Sequence, residues 1–204
     1  MLRIIRDRDF LSDKNATLFI KALIKECGNN NIECEVLSIN NIEAAKELSK
    51  DILTPTILID PMNKEYKELF KHCYDADSNT TAKVCCELIK DIKPANVLLI
   101  GRGNIGSKLS EFILNKTDHT LTVVNSHTEE GYIQYLIDNS DIVINTSTSV
   151  IEVNKHISMD NKVIIDINNN LKINNVDDAL KYYNIKDIGK LTVKEIISRS
   201  KTTY

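Results

Sequence analysis

The sequence predicts an α/β protein of two lobes, the second built on a parallel sheet. Three observations carry that expectation. Strand-like and helix-like runs alternate on both sides of Pro94. After Pro94 the runs Val97–Ile100, Ile142–Ile144 and Val163–Ile165 are apolar without interruption, as in sheets covered on both faces. Three of the 6 glycines, Gly101, Gly103 and Gly106, fall together directly after one of those strands. The 204 residues, 42% hydrophobic and 27% charged, suffice for two small lobes and exclude a disordered, collagen-like or coiled-coil chain.

In the first lobe, residues 15–28 repeat apolar side chains at Leu18, Phe19, Ala22, Leu23 and Cys27, a helical period with Asp13 as cap and Gly28 as stop. Glu35–Ile39 alternates as a strand, Ile42–Ser49 reads as a helix, and Thr56–Ile59 is a short apolar strand closed by Asp60-Pro61. The part as a whole reads strand–helix–strand–helix–strand. Lys64–His72 is a weaker helix, Asp75–Thr80 a polar break, and Ala82–Asp91 a helix running to Lys93-Pro94.

Beyond Pro94, Val97–Ile100 is a fully apolar strand, Gly101–Gly106 a turn, and Ile105–Asn115 a helix with Leu109, Phe112 and Ile113 on one face. Leu121–Val124 is the next strand, Tyr132–Ile137 a helix, and Ile142–Ile144 and Val163–Ile165 are two more buried strands. Lys186–Ile188 is the expected last strand, and Thr192–Ser200 a helix capped by Thr192 with Glu195 completing a capping box. The expected domains are residues 1–92, residues 93–190, and residues 191–204 as a helix returning to the first.

A formal net charge of −3 leaves no basic surplus for phosphodiesters, so nucleic acid is not an expected partner. The apolar runs stop short of a membrane span and residues 1–15 do not read as a secretory signal, so no membrane association is expected. The 5 cysteines are odd in number and lack C-x-x-C spacing, which points to free thiols in the reduced cytoplasm. The adjacent Cys85-Cys86 would face different sides of a helix. The four histidines, His72, His119, His127 and His156, have no metal-ligand spacing; they read as surface residues, and no metal is expected.

Gly101-Arg102-Gly103-Asn104-Ile105-Gly106 is G-x-G-x-x-G between an apolar strand and an amphipathic helix, the context in which this pattern binds a dinucleotide. Gly101 permits the tight turn, Gly103 lets backbone amides approach a pyrophosphate, and Gly106 lets the helix pack closely with its positive end toward the anion. A purely structural junction would have the same residues. The second strand ends at Asn125-Ser126, where an NAD-binding fold usually has a carboxylate. Arg102 and Ser126 offer a cation and a hydroxyl instead, which suits the 2′-phosphate of NADP, against the alternative that Arg102 is a solvated loop charge.

This glycine turn, followed by Asn125-Ser126-His127-Thr128, Asp141-Ile142-Val143-Ile144 and Val163-Ile164-Ile165-Asp166, resembles the cofactor half of the methylenetetrahydrofolate dehydrogenase/cyclohydrolase family. That family reads G-R-S-x-x-V-G, H-S-x-T, A-D-I-V and V-I-D-V-G in the same order; Arg102, Ser126 and Thr128 match it, and one residue is missing from the turn. The resemblance implies a Rossmann-like second lobe, NADP as cofactor, a folate as the small-molecule substrate and a homodimer.

The first lobe resembles the family's folate half with damaged chemistry. The pattern D-P-A-S-x-x-Y-V-x-x-K-x-K aligns without gaps on Asp13 to Lys25, placing Phe19 where the family has a tyrosine and Leu23 where it has the catalytic lysine. A shifted register would let Lys21 or Lys25 stand in. Leu58-Ile59-Asp60-Pro61 represents V-Q-L-P without its glutamine. Asp75-Ala76-Asp77-Ser78 represents D-V-D-G, leaving Asp77 as a substrate-binding carboxylate or as a solvated loop acid. The loop that the family carries after that aspartate is absent, and P-G-G-V-G-P-M-T survives only as Asp187-Ile188-Gly189-Lys190-Leu191-Thr192.

The resemblance implies an NADP-dependent dehydrogenase with its cyclohydrolase activity lost, since an apolar residue cannot replace a proton-transferring lysine. A redox enzyme of this architecture with another small substrate, and a catalytically silent NADP-binding or scaffold protein, are the alternatives. No Ser-His-Asp or paired-carboxylate arrangement is present.

Overall fold

The computed structural model describes residues 1–70, 77–125, 127–174 and 178–202. The elements are β1 (Leu2–Asp7), α1 (Lys14–Asn29), β2 (Cys34–Ile39), α2 (Ile42–Ser49), β3 (Thr56–Ile59), α3 (Lys64–Leu69), α4 (Asp77–Ile89), β4 (Asn96–Ile100), α5 (Asn104–Lys116), β5 (Thr120–Val124), α6 (Glu130–Asp138), β6 (Ile142–Asn145), β7 (Ile151–Glu152), β8 (Val163–Asp166), β9 (Leu171–Lys172), β10 (Lys181–Asn184) and α7 (Ile185–Thr202). Among the described residues no helix is long and apolar enough to cross a membrane. Two compact units form, Met1–Thr80 with Gly189–Tyr204, and Thr81–Ile188, so the division falls within α4 and α7.

The first unit holds a parallel three-stranded sheet in the order β2-β1-β3. Alternation on β1 and β3 sends Leu2, Ile4, Ile57 and Ile59 to one face, against Ile20, Leu23 and Cys27 of α1 and Val193, Ile196 and Ile197 of α7. Ile5 and Leu58 go to the other, against Ala45 of α2 and Tyr66 of α3. The strand β1, the first in the expected strand–helix–strand–helix–strand series, therefore lies at the centre and carries two arginines. One of them, Arg3, is buried and pairs with Glu35 at 2.7 Å and with Asp51 at 3.0 Å.

Asp13 caps α1 as expected, accepting from the Ala16 N–H at 2.8 Å. Gly28 does not stop it. The helix runs to Asn29, and Asn31 takes the left-handed conformation at φ 53° while the Asn30 and Ile32 N–H groups satisfy the Cys27 carbonyl. The buried stripe is Ile20, Leu23 and Cys27 with Phe19 half-buried; Leu18 and Ala22 face solvent, because the sheet accepts a narrower face than the apolar spacing offers. Helix α3 ends at Leu69, and Lys71 and His72 lie outside the described residues.

The second unit contains a five-stranded parallel sheet in the order β10-β8-β6-β4-β5. Val97 and Leu99 pack with Leu109 and Ile113 of α5 and Cys85, Cys86 and Ile89 of α4; Leu98 and Ile100 pack on the opposite face with Ile137 of α6. Both faces of the inner strands β4, β6 and β8 are covered, which is why these three are almost wholly apolar. β7 and β9 form a separate two-stranded parallel pair.

Four expectations are corrected. The polar stretch before Ala82 is already helical from Asp77, so Asn79, Thr80 and Thr81 lie within α4; Asp75 and Ala76 fall outside the described residues. Lys186–Ile188 is helix, and the last strand is β10, whose half-buried Tyr182 and Tyr183 pair alongside β8. α7 starts at Ile185 because Asn184 and Asp187 form a reciprocal cap: Asn184 Oδ1 accepts from the Lys186 and Asp187 N–H groups, and the Asn184 N–H donates to Asp187. Thr192 is consequently a buried interior residue rather than a cap. His119 is also buried, at 8% exposure; Nδ1 accepts from the Ala95 N–H at 3.2 Å, which leaves Nε2–H to donate to the Ile89 carbonyl at 3.0 Å. It ties the end of α4 to the start of β4.

Leu23→Ala should cost about 2–5 kcal/mol, the usual range for a fully buried leucine, whereas exposed Lys21→Ala should stay within about 0.5 kcal/mol; urea denaturation of both variants measures the difference. Asp51 is held down at about 2, chiefly by hydrogen bonds from Thr54, with Arg3 adding to the effect. A carboxylate lowered on folding contributes stability that is complete above its unfolded value near 4 and is lost as pH falls toward 2. Asp51→Asn should flatten the stability profile in that window, read by thermal unfolding at stepped pH.

Candidate dinucleotide cradle

The glycine turn leaves the carboxyl end of β4, between neighbours β5 and β6. Chain order reverses there, and in open α/β sheets that crevice is where ligands bind. Gly101 has φ +104°, and a Cβ on it would sit 2.6 Å from Thr146 Oγ1 and 2.9 Å from the Ser147 backbone nitrogen. A Cβ on Gly106 would lie 2.2 Å from the Gly101 carbonyl oxygen and 2.8 Å from Thr146 Oγ1. Both positions therefore exclude any side chain. Gly103 differs: it is the N-cap of α5, with no side-chain capping bond and no atom within 4 Å of where a Cβ would stand.

These three environments fit a pyrophosphate. The first turn of α5 keeps N–H groups that no side chain caps, at the positive end of a 13-residue helix, with open space over Gly103. Arg102 and Asn104 are exposed beside it, and the Arg102 guanidinium makes no ion pair among the described residues. Ser107 Oγ donates to the Arg102 carbonyl at 2.9 Å and holds the turn. Ile105 is half-buried against the core that contains Leu109.

At the end of β5, Asn125 Oδ1 accepts from the His127 N–H at 2.9 Å, and the Thr128 hydroxyl accepts from the Asn125 N–H at 3.2 Å. The corner is thus built by Asn125 and Thr128. Ser126 lies outside the described residues.

Residues the sequence did not single out complete the cradle. Thr146 Oγ1 reaches the Ile100 carbonyl at 3.0 Å and the Gly101 carbonyl at 3.2 Å, so the loop after β6 is joined to the glycine turn. Behind it, fully buried Asn145 donates to fully buried Asp166 at 2.9 Å and accepts from the Ser147 N–H at 3.0 Å. Asp166 also takes the Asn170 and Leu171 N–H groups, while Asn168 donates to the Thr146 and Ser147 carbonyls. Burial, and then Asp166 beside it, push the Tyr182 phenol upward. The one available signal was a polar triplet, Asn145-Thr146-Ser147, ending an otherwise apolar strand.

The sequence pattern of the tetrahydrofolate dehydrogenase/cyclohydrolase NAD(P)-binding domain matches residues 79–200, more than half of the chain. The chain belongs to this tetrahydrofolate dehydrogenase/cyclohydrolase family. Comparison with curated proteins finds no match. Among solved structures, a 5,10-methylenetetrahydrofolate dehydrogenase from the silkworm Bombyx mori is similar with a TM-score of 0.78 at 13% identity, over 99% of this chain and 86% of that one. The Trypanosoma brucei N5,N10-methylenetetrahydrofolate dehydrogenase-cyclohydrolase complexed with NADP and an inhibitor gives 0.74 at 15%, over 99% and 85%. The bifunctional enzyme from Thermoplasma acidophilum gives 0.70 at 17%, over 99% and 89%. At these identities the likeness establishes the fold, and the parallel, Rossmann-like architecture expected from the glycine turn is the one observed.

The residues expected to represent the family's folate half are dispersed, all but Asp187 and Ile188 of them in the first unit. Leu23 has 0% exposure in the core between the sheet and α1. Phe19 is half-buried beside it, and Lys21 and Lys25 are both exposed on the outer side of α1. Asp60 directly follows β3 and is ion-paired with Lys67. Asp77 is the first residue of α4, and Asp187–Thr192, a turn in the family pattern, is helical here.

Gly106→Ala should destabilise the second unit by at least about 1–3 kcal/mol, because the obstructing atom is backbone. Gly103→Ala should leave thermal stability near that of the parent while weakening dinucleotide binding, since its Cβ occupies only the open space over the helix end. Thermal unfolding and titration calorimetry on both variants separate the two roles.

Proposed function

We propose that this protein is an NADP-dependent dehydrogenase acting on methylenetetrahydrofolate, with the cyclohydrolase step lost. The observation that carries the cofactor choice is an exposed Arg102 in the glycine turn, without an ion pair among the described residues, together with an uncharged Asn125 after β5. A carboxylate there would favour the 2′-hydroxyl of NAD; a guanidinium suits a 2′-phosphate. In this reading Gly101, Gly103, Asn104, Ile105 and Gly106 form the pyrophosphate turn, and Arg102 with Asn125, Ser126 and Thr128 surrounds the 2′-phosphate. Residues 93–190 are the cofactor domain, residues 1–92 the substrate domain with Asp77 as its folate-binding carboxylate, and residues 191–204 the returning helix.

The nicotinamide supplies hydride acceptance when bound, and the chain supplies binding and orientation. Hydrolysis requires more of the protein, because water must be activated and a proton moved. The gapless register puts Leu23 at the lysine position, and Leu23 is sealed in the core. Lys21 takes that part only in a shifted register.

The sealed Leu23 also favours a second reading, a catalytically silent NADP-binding homologue. Assay of the purified protein for both family reactions separates them: dehydrogenation with NADP supports the first, and tight NADP binding without turnover supports the second.

Calorimetry should show NADP bound more tightly than NAD. Arg102→Ala should cost NADP about 1.5–3 kcal/mol while leaving NAD unchanged, as expected for loss of one charge-assisted contact. Equal affinity for the two cofactors in the parent protein would defeat the assignment. Methenyltetrahydrofolate hydrolysis should be undetectable above the uncatalysed rate, because an acid/base contribution of roughly 10²–10⁴-fold is missing; robust turnover would move the role to Lys21 or Lys25.

A further inference from the structure

We propose that Asn168, in the loop after β8, is a positioning residue for the nicotinamide half of the dinucleotide, which it serves by holding in place the hydroxyl-rich loop after β6; this rests on the cofactor reading above. A dinucleotide is two nucleotides joined through a pyrophosphate. With the 2′-phosphate on the β5 side at Arg102 and Asn125, and the pyrophosphate at the start of α5, the second ribose and its nicotinamide are left the β6 side of the crevice, because β4 lies between β5 and β6. The wall on that side is Thr146-Ser147-Thr148-Ser149, four hydroxyl residues that follow β6 with no strand or helix of their own.

Such a segment keeps one position only where other groups satisfy its polar backbone. Here the carbonyls are held from the loop after β8. The Asn168 side-chain amide places its two N–H donors on consecutive carbonyls, those of Thr146 and Ser147, each at 3.0 Å. Asn170 donates to the next carbonyl, Thr148, at 2.8 Å. Two asparagines thus fix three successive carbonyls, with Asn169 between them in the left-handed conformation at φ 55°.

The N–H groups of the loop are bound from within. Asn145 Oδ1 accepts from the Ser147 N–H at 3.0 Å, and Ser147 Oγ accepts from the Ser149 N–H at 3.1 Å. Thr146 Oγ1 ties the near end to the Ile100 and Gly101 carbonyls. At the far end the Thr148 and Ser149 side chains remain exposed. Hydroxyls on a fixed backbone supply the donors and acceptors that a ribose and a carboxamide require. Asn168 acts through this loop, so its loss frees the Thr146 and Ser147 carbonyls and lets the wall move while Gly101, Gly103 and Arg102 keep their own backbone.

The test is titration calorimetry on the full chain with two probes, NADP and adenosine 2′,5′-bisphosphate, which has the 2′-phosphate but lacks the nicotinamide nucleotide. Asn168→Ala should weaken NADP roughly tenfold, the size of effect expected from losing two ordinary hydrogen bonds, and leave the bisphosphate within about twofold. A purely structural role would weaken both probes alike. Equal weakening of both, or no change in either, would overturn the proposal. Amide hydrogen exchange on the parent protein decides even where the variant fails to fold: NADP should slow exchange across residues 146–150 and the bisphosphate should not, and equal protection by both, or by neither, overturns it. A parent protein that binds neither probe defeats the cofactor reading and the positioning role together, whereas a parent that binds both, with a variant that does not distinguish them, defeats the positioning role alone.

Discussion

The tolerance of the glycine turn for backbone alone governs the second unit. A methyl group on Gly106 would stand 2.2 Å from the Gly101 carbonyl, and one on Gly101 would stand 2.6 Å from Thr146 Oγ1. Because neither exists, α5 starts directly over the end of β4, and the hydroxyl of Thr146 reaches carbonyls of both Ile100 and Gly101. That contact joins β4 and its neighbour β6 at the place where the order of strands along the chain reverses. The uncapped N–H groups of α5 then face open space rather than a side chain, which is what an anion needs.

The support behind the cradle is polar and buried, an unusual place for polar groups unless they are mutually satisfied. Asn145 and Asp166 are both fully buried, and between them they bond to each other and to the backbone of Ser147, Asn170 and Leu171. Each bond contributes modestly, but loss of one partner would leave a desolvated group behind. The loops after β6 and β8 are therefore fixed to one another, and the cradle wall that Thr146 forms is fixed with them. This is positioning by a network set behind the ligand side.

The two units contrast in the side chains they present. The second holds a glycine turn open only to backbone at Gly101 and Gly106, with Arg102 exposed beside it. In the first, the parallel sheet and its covering helices are intact, yet the α1 face turned inward carries Ile20, Leu23 and Cys27, and its lysines face out. Leu23 on that inward face adds buried apolar area to the core of the first unit.

The sequence by itself determined the alternation of elements, the parallel sheet and the glycine turn, because those follow from short-range spacing: uninterrupted apolar strands, a helical period, and three glycines after Ile100. It misjudged what depends on neighbours. His119 reads as a surface residue until the Ala95 N–H and the Ile89 carbonyl are found on either side of its ring. The start of α7 at Ile185 rests on Asn184 and Asp187 capping one another at the end of β10, so Thr192, the cap expected from the sequence, is buried inside the helix. The contacts of Thr146 and Asp166 were invisible for the same reason. A hydroxyl or carboxylate acquires its role from groups distant in sequence, and only the packed sheet brings those groups within hydrogen-bonding distance.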